Sequence, residues 1–256
     1  MEDFVVSVAQ YEIALGDKEK NLNKAEQMAK KASSEGADFL VLPEYMSTGS
    51  LPSEGMDHAE TIPGETSESL CEISGRYGIH IVGSILEMSD DRIYNTALLT
   101  DKKGELLASY RKIHLFMDEQ NHIVNGNSII TADTEFGKVG LMICYDSIFP
   151  EVARKIALSG AKMIFVPANW PDPFDHQWQL STSARALDNQ LWLAASNRVG
   201  TDEKFTYFGK SRIVNPLGIT VEECGGEEEI IFAQVNDGLE KEFKDTVDFI
   251  GDMKDI

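Results

Sequence analysis

Apolar and polar positions along this chain alternate between a strand period and a helix period. FVVSVAQ (4–10) is an apolar run of strand length, and in residues 21–35 Leu22, Ala25, Met28, Ala29 and Ala32 fall at helical spacing before Gly36 ends the pattern. FLVLP (39–43) then reads as a second strand. The same order returns as VGLMIC (139–144), a helix over 151–159 ended by Gly160, and MIFVP (163–167). The return is detailed: EGADFLVLPE (35–44) aligns without gaps on SGAKMIFVPA (159–168), sharing the Gly-Ala pair and the proline.

Parallel strands need a crossover element, so two strand–helix–strand units predict an α/β fold of two pseudo-symmetric halves around one core. Between them IHIVGSILE (79–87), YNTALLT (94–100) and ELLASYRKIHL (105–115) read as strands, separated by the turn signals SDD and DKKG. After a helix over 178–190 come LWLAASN, SRIVNPLGITVEE and EEIIFAQVN, the last two expected to form a hairpin with its turn at 216–218. So many strands with three main helices predict two stacked, mostly parallel sheets with helices outside. No Pro/Ser-rich linker interrupts residues 1–256, so a single domain is expected.

Composition narrows the partners. Of 256 residues 42% are hydrophobic, enough for a sizeable core, and 43 acidic against 23 basic residues give a net charge of −20. That field repels phosphate backbones and anionic lipid, so neither nucleic acid nor membrane is an expected partner. Glu2 and Asp3 stand where a secretory signal carries positive charge, and no apolar run approaches the ~20 residues of a membrane span. Cys71, Cys144 and Cys224 are odd in number and lack C-x-x-C spacing, which argues against a disulfide framework and a structural zinc. A cytoplasmic protein without metal or cofactor is the expectation.

Three unlike reactive side chains fall at predicted strand ends, where ligand sites of α/β sheets gather: Glu44 after FLVLP, Lys112 late in ELLASYRKIHL, and Cys144 closing VGLMIC. Taken singly, each has a plain alternative. Cysteine is commonly inert packing, and Glu44 or Lys112 could be a solvated charge. A Cys–His hydrolase could recruit His58, His80, His114, His122 or His176, and Glu119 with His122 forms an E-x-x-H pair, although a carboxylate-bridged metal site needs two such pairs.

The segments LVLPEY, YRKIHLF, and GLMICYD followed by FPEVAR resemble the three signature segments of the nitrilase superfamily, the carbon–nitrogen hydrolases. VPANWP, ARALDNQLW, NRVG and FGKSRIVNPLG extend the resemblance over nearly the whole chain in the family's order. It implies an α-β-β-α sandwich and a catalytic triad of Glu44, Lys112 and Cys144, with Glu119 as the nearest match to a second family glutamate. Thiol, base and cation are what amide hydrolysis through a covalent intermediate requires. Tyr45, Phe116, Tyr145, Asn169 and Trp170 flank these segments and are the expected substrate-binding residues.

Cys144-Tyr145-Asp146 is similar to the amidase-type branches, where true nitrilases carry Trp-Glu after the nucleophile. A small aliphatic amide, possibly an ω-amide, is the implied substrate. Hydrolysis of N-carbamoyl amines is the alternative, ahead of nitrile hydrolysis or a non-catalytic binding role. One departure stands out: Ile148 occupies a position where related ω-amidases often carry arginine, leaving Arg198 or Lys210 as candidate partners for a substrate carboxylate. The family also implies a homodimer or larger homo-oligomer.

Overall fold

A computed structural model describes residues 3–50 and 55–254. In chain order it runs β1 (Phe4–Gln10), α1 (Lys18–Ser34), β2 (Phe39–Val41), α2 (Gly55–His58), α3 (Glu65–Tyr77), β3 (His80–Ser89), β4 (Arg92–Thr100), β5 (Leu106–Arg111), β6 (Thr131–Thr134), β7 (Gly137–Leu141), α4 (Pro150–Leu158), β8 (Met163–Ala168), α5 (Asp175–Asn189), β9 (Trp192–Asn197), β10 (Val199–Thr201), β11 (Thr206–Phe208), β12 (Arg212–Val214), β13 (Thr220–Glu223), β14 (Glu229–Val235) and α6 (Asp237–Thr246).

Two six-stranded sheets, ordered β14-β1-β2-β3-β4-β5 and β13-β12-β9-β8-β7-β6, stack face to face. Helices α1 and α3 cover the outer face of the first, and α4 and α5 that of the second. The internal repeat is realised in full, because β1-α1-β2-α3-β3 and β7-α4-β8-α5-β9 each make three parallel strands. The sheets are mixed rather than mostly parallel: each is parallel only at its centre, with antiparallel strands on both sides. Short turns join β3 to β4, β4 to β5, β6 to β7 and β12 to β13 and leave no room for a crossover. The β3–β4 turn is an example, with Asp90 at φ 51° and Asp91 at φ 58°, the left-handed pair of a type I′ hairpin.

Two further expectations change. The turn at 216–218 joins β12 to β13, but β14 leaves that sheet and pairs antiparallel with β1 in the other. Its apolar run is therefore part of the seam between halves. Helix α3 escaped the periodicity because Leu70 and Ile73 are its only large buried aliphatics among polar neighbours.

Local chemistry sets the elements. Asp17 caps α1 by accepting from Lys20 N at 3.0 Å, and Asn21, Ala25, Ala29 and Ala32 form its buried face. In β1 and β2 the side chains divide by parity, Val6, Val8, Phe39 and Val41 facing the inter-sheet core and Ala9 and Leu40 facing the helices. Gly140 lets α4 approach β7, since a Cβ there would lie 2.2 Å from Ile156 Cγ2. Among the described residues no helix is long and apolar enough to cross a membrane.

Candidate active site

The two halves meet at the ends of their central strands, where Glu44 N donates to Ala168 O at 3.4 Å. Glu44 follows β2 within three residues, and Lys112 follows β5 directly, its N–H donating to Asn95 O at 2.8 Å. Cys144 does not end the strand as expected. Strand β7 stops at Leu141, and Cys144 opens a 3-10 turn, Cys144–Ile148, that leads into α4. Its φ is +48°, a conformation that costs a side-chain-bearing residue roughly 1–3 kcal/mol. Tyr45 (φ 52°) and Met117 (φ 48°) flank the other two reactive segments in the same left-handed region. Three of the seven non-glycine residues with positive φ among the described residues thus lie in or beside the reactive segments.

Those side chains converge. Lys112 Nζ donates to Glu44 Oε1 at 2.8 Å and to Glu119 Oε2 at 2.9 Å, and Cys144 shares their cavity of about 320 Å³. Asn95 Nδ2 adds a hydrogen bond to Glu44 Oε1 at 2.7 Å. Glu119 also accepts from Tyr45 OH at 2.5 Å and Phe116 N at 2.7 Å. All four reactive groups are buried.

Two carboxylates around one ammonium, out of water, favour retention of protons. Burial raises the Glu44 carboxyl above its ordinary value, with the Lys112 charge opposing and Glu119 assisting. Burial and then Glu44 push the Cys144 thiol well up, outweighing the pull of Lys112, so the resting sulfur is a thiol. Burial works against the Lys112 ammonium, yet Glu119 and Glu44 more than offset it, and Lys112 stays charged. A neutral thiol beside a carboxylate of raised proton affinity and a fixed cation can deliver a nucleophile, take its proton and stabilise an oxyanion.

The expected substrate contacts divide. Tyr45, Phe116 and Asn169 line the cavity. Tyr145 and Trp170 do not: Tyr145 packs edge-on against Phe116 and Phe149, and Trp170 lies in the core against Phe174 and Trp178. Both are aromatic bodies drawn into packing by the area they bury. Arg198 and Lys210 are not on the cavity lining, and Ile148 packs against the core. Glu119 turns in to Lys112 while His122 is exposed, so the E-x-x-H pair does not converge.

Asp146 is a buried link between the reactive segments whose role pattern reading did not single out. Fully buried, it accepts from Tyr110 OH at 2.7 Å and Ile143 N at 3.1 Å through Oδ2, and from His114 N at 2.9 Å through Oδ1, which also meets His114 Nδ1 at 2.9 Å. It therefore ties the cysteine turn to the lysine segment. The signal was an acid two residues beyond the cysteine in an apolar run. Asp146→Asn replaces one acceptor oxygen by an NH₂ that faces two donors, and a loss of about 2–3 kcal/mol in urea unfolding is expected. The kcat should fall with KM little changed, since the residue touches no cavity surface; an unchanged kcat would refute the link.

The family model for carbon–nitrogen hydrolases matches residues 5–245. A 2-oxoglutaramate amidase of Bacillus subtilis is 33% identical over 255 residues, 98% of this chain and 98% of that protein. The crystal structure of Saccharomyces cerevisiae Nit3, a member of branch 10 of the nitrilase superfamily, superposes with a TM-score of 0.91 at 30% identity, over 96% of this chain and 94% of that one. An amidase variant from Nesterenkonia sp. AN1, with acrylamide added at the active-site cysteine, gives a TM-score of 0.89 at 26% identity over 98% and 96% of the two chains. With its sandwich, its repeat and its gathered glutamates, lysine and cysteine, the chain belongs to the carbon–nitrogen hydrolases of the nitrilase superfamily.

Proposed function

We propose that the protein hydrolyses a small aliphatic amide to a carboxylate and ammonia through an acyl-thioester on Cys144. The observation that carries this reading is the buried contact set of Lys112 with Glu44 and Glu119 beside the Cys144 thiol. Glu44 takes the thiol proton as Sγ attacks the amide carbon, and passes it to the nitrogen as the C–N bond breaks and ammonia leaves. The same carboxylate then takes a proton from water, whose oxygen attacks the thioester carbon. The C–S bond breaks and the proton returns to sulfur.

Lys112 faces the oxygen that gains negative charge in both steps, with the backbone N–H of Tyr145 as second donor; each such donor contributes roughly 3–4 kcal/mol to the transition state. Glu119, braced by Tyr45, keeps the ammonium aimed. A preorganised cation in a dry site stabilises developing charge without reorganisation. The cavity of about 320 Å³ suits a small substrate, and the amidase names of the relatives point the same way.

Ammonia release from aliphatic amides, N-carbamoyl amines and nitriles tests the reading. Turnover of amides is expected. Carbon dioxide released with the ammonia would move the assignment to carbamoyl amines, and turnover confined to nitriles would overturn it.

A further inference from the structure

The outer cavity has a charge pattern of its own. Its lining includes Asp118, Asp202, Glu203 and Lys204. Lys204 Nζ is engaged by Asp118 Oδ2 at 2.8 Å, and Lys112 at the base is held by two carboxylates. Among the described lining residues these are the only lysines, and there is no arginine.

Arg198 and Lys210, the candidate partners for a substrate carboxylate, lie off the cavity lining, and His58, which is on it, has an interaction of its own. Arg198, 1% exposed, donates to Val199 O at 3.4 Å and Ile13 O at 3.2 Å and lies over the Tyr207 ring at 4.3 Å. Its Nη1, 3.7 Å from Asp202 Oδ2, makes it a counter-ion behind the wall. Lys210 is paired with Asp175 at 2.9 Å.

A second, independent feature marks a ligand at this place. Asn169 lines the cavity at 8% exposure, and neither its Nδ2 nor its Oδ1 has a hydrogen-bond partner among the described residues. A buried carboxamide lacking both bonds is costly, and a ligand offering one acceptor and one N–H would satisfy it. It is also a neutral group, so it can donate to a ligand but brings no charge to offset an anion's.

We propose that the cavity selects amides whose far end is an ammonium or a neutral group and discriminates against those ending in a carboxylate. This rests on the amide-hydrolase reading above and names its substrate class. With Asp118 set against Lys204 and Asp202 against Arg198, Glu203 supplies the remaining negative charge of the outer lining, which attracts an ammonium there and meets a carboxylate as like charge with no lining lysine or arginine left over to replace its water. The chain's net charge of −20 acts in the same direction on the encounter rate.

Three probes with the same three-methylene spacer test this: 4-aminobutanamide, pentanamide and glutaramate. The kcat/KM should fall in that order, by at least tenfold from first to last at low ionic strength, and the spread should narrow as salt is added. Glu203→Lys should narrow the preference for the ammonium relative to pentanamide, and Asn169→Ala should raise KM for all three together. Equal kcat/KM across the series, or glutaramate as the best substrate, would overturn the charge selection while leaving amide hydrolysis intact. Silence on all three, with turnover only of nitriles, would instead remove the reading beneath it.

Discussion

Cys144→Ala should remove turnover, lowering kcat by roughly 10⁴–10⁶-fold, the scale seen when a covalent nucleophile is deleted. Among the described lining residues Cys144 carries the only thiol, the strongest nucleophile among those side chains. The protein itself should remain folded, because the change removes one small buried atom at a strained turn. Cys71, half-buried on α3, and Cys224, buried far along the chain, serve as internal controls; neither lines the cavity, and Cys71→Ala should keep full activity. Ammonia release and thermal unfolding measured on the same samples decide the matter. Residual activity above about one part in a hundred in the folded Cys144→Ala protein would rule out the covalent route.

Lys112→Met is expected to cost both activity and stability, for separable reasons. It leaves Glu44 and Glu119 buried and facing each other with no cation, a loss of about 3–5 kcal/mol when one partner of a buried charge cluster is removed. The carboxylates respond by retaining a proton, since two like charges left around one buried position without their shared cation do not both stay ionised. Adding Glu119→Gln removes one of them, so Lys112→Met/Glu119→Gln should regain much of the lost stability in urea unfolding. Activity should not return with it, because the charge that stabilises the oxyanion is still missing, and kcat should stay at least 10²–10³-fold down in both variants. Stability equal to wild type in the single variant would contradict the buried cluster. Activity restored in the double variant would reduce Lys112 to a structural brace.

These outcomes depend on contacts of very different legibility. The strands and helices of the repeat could be read directly: β1, α1, β2, β7, α4 and β8 lie within a few residues of the apolar runs that predicted them. Periodicity worked there because a buried face imposes a spacing on its own segment. It failed at α3, where few apolar residues mark the face, and at β14, whose run shows that it is buried but not beside which strand. The antiparallel β3–β4, β4–β5, β6–β7 and β12–β13 pairs followed from loop length rather than from strand composition.

For the site, residue type and position at predicted strand ends singled out Glu44, Lys112 and Cys144, and the family resemblance added Glu119. Their grouping could not be read that way. Lys112 and Glu44 are 68 positions apart and meet at 2.8 Å because β2 and β5 belong to one sheet, with β3 and β4 between them. Asp146 looked like an ordinary acid until Tyr110, His114 and Ile143 were seen to donate to it. Arg198 and Lys210 looked like free cations until their partners appeared, and Tyr145 and Trp170 looked like pocket walls until they packed inward. The sequence by itself determined the βαβ halves, the family and the reactive residue types, each recorded in local spacing. Only the tertiary structure decided which charges are paired, which polar atoms are left without partners and which side chains face the cavity, because those depend on neighbours that the chain order does not place side by side.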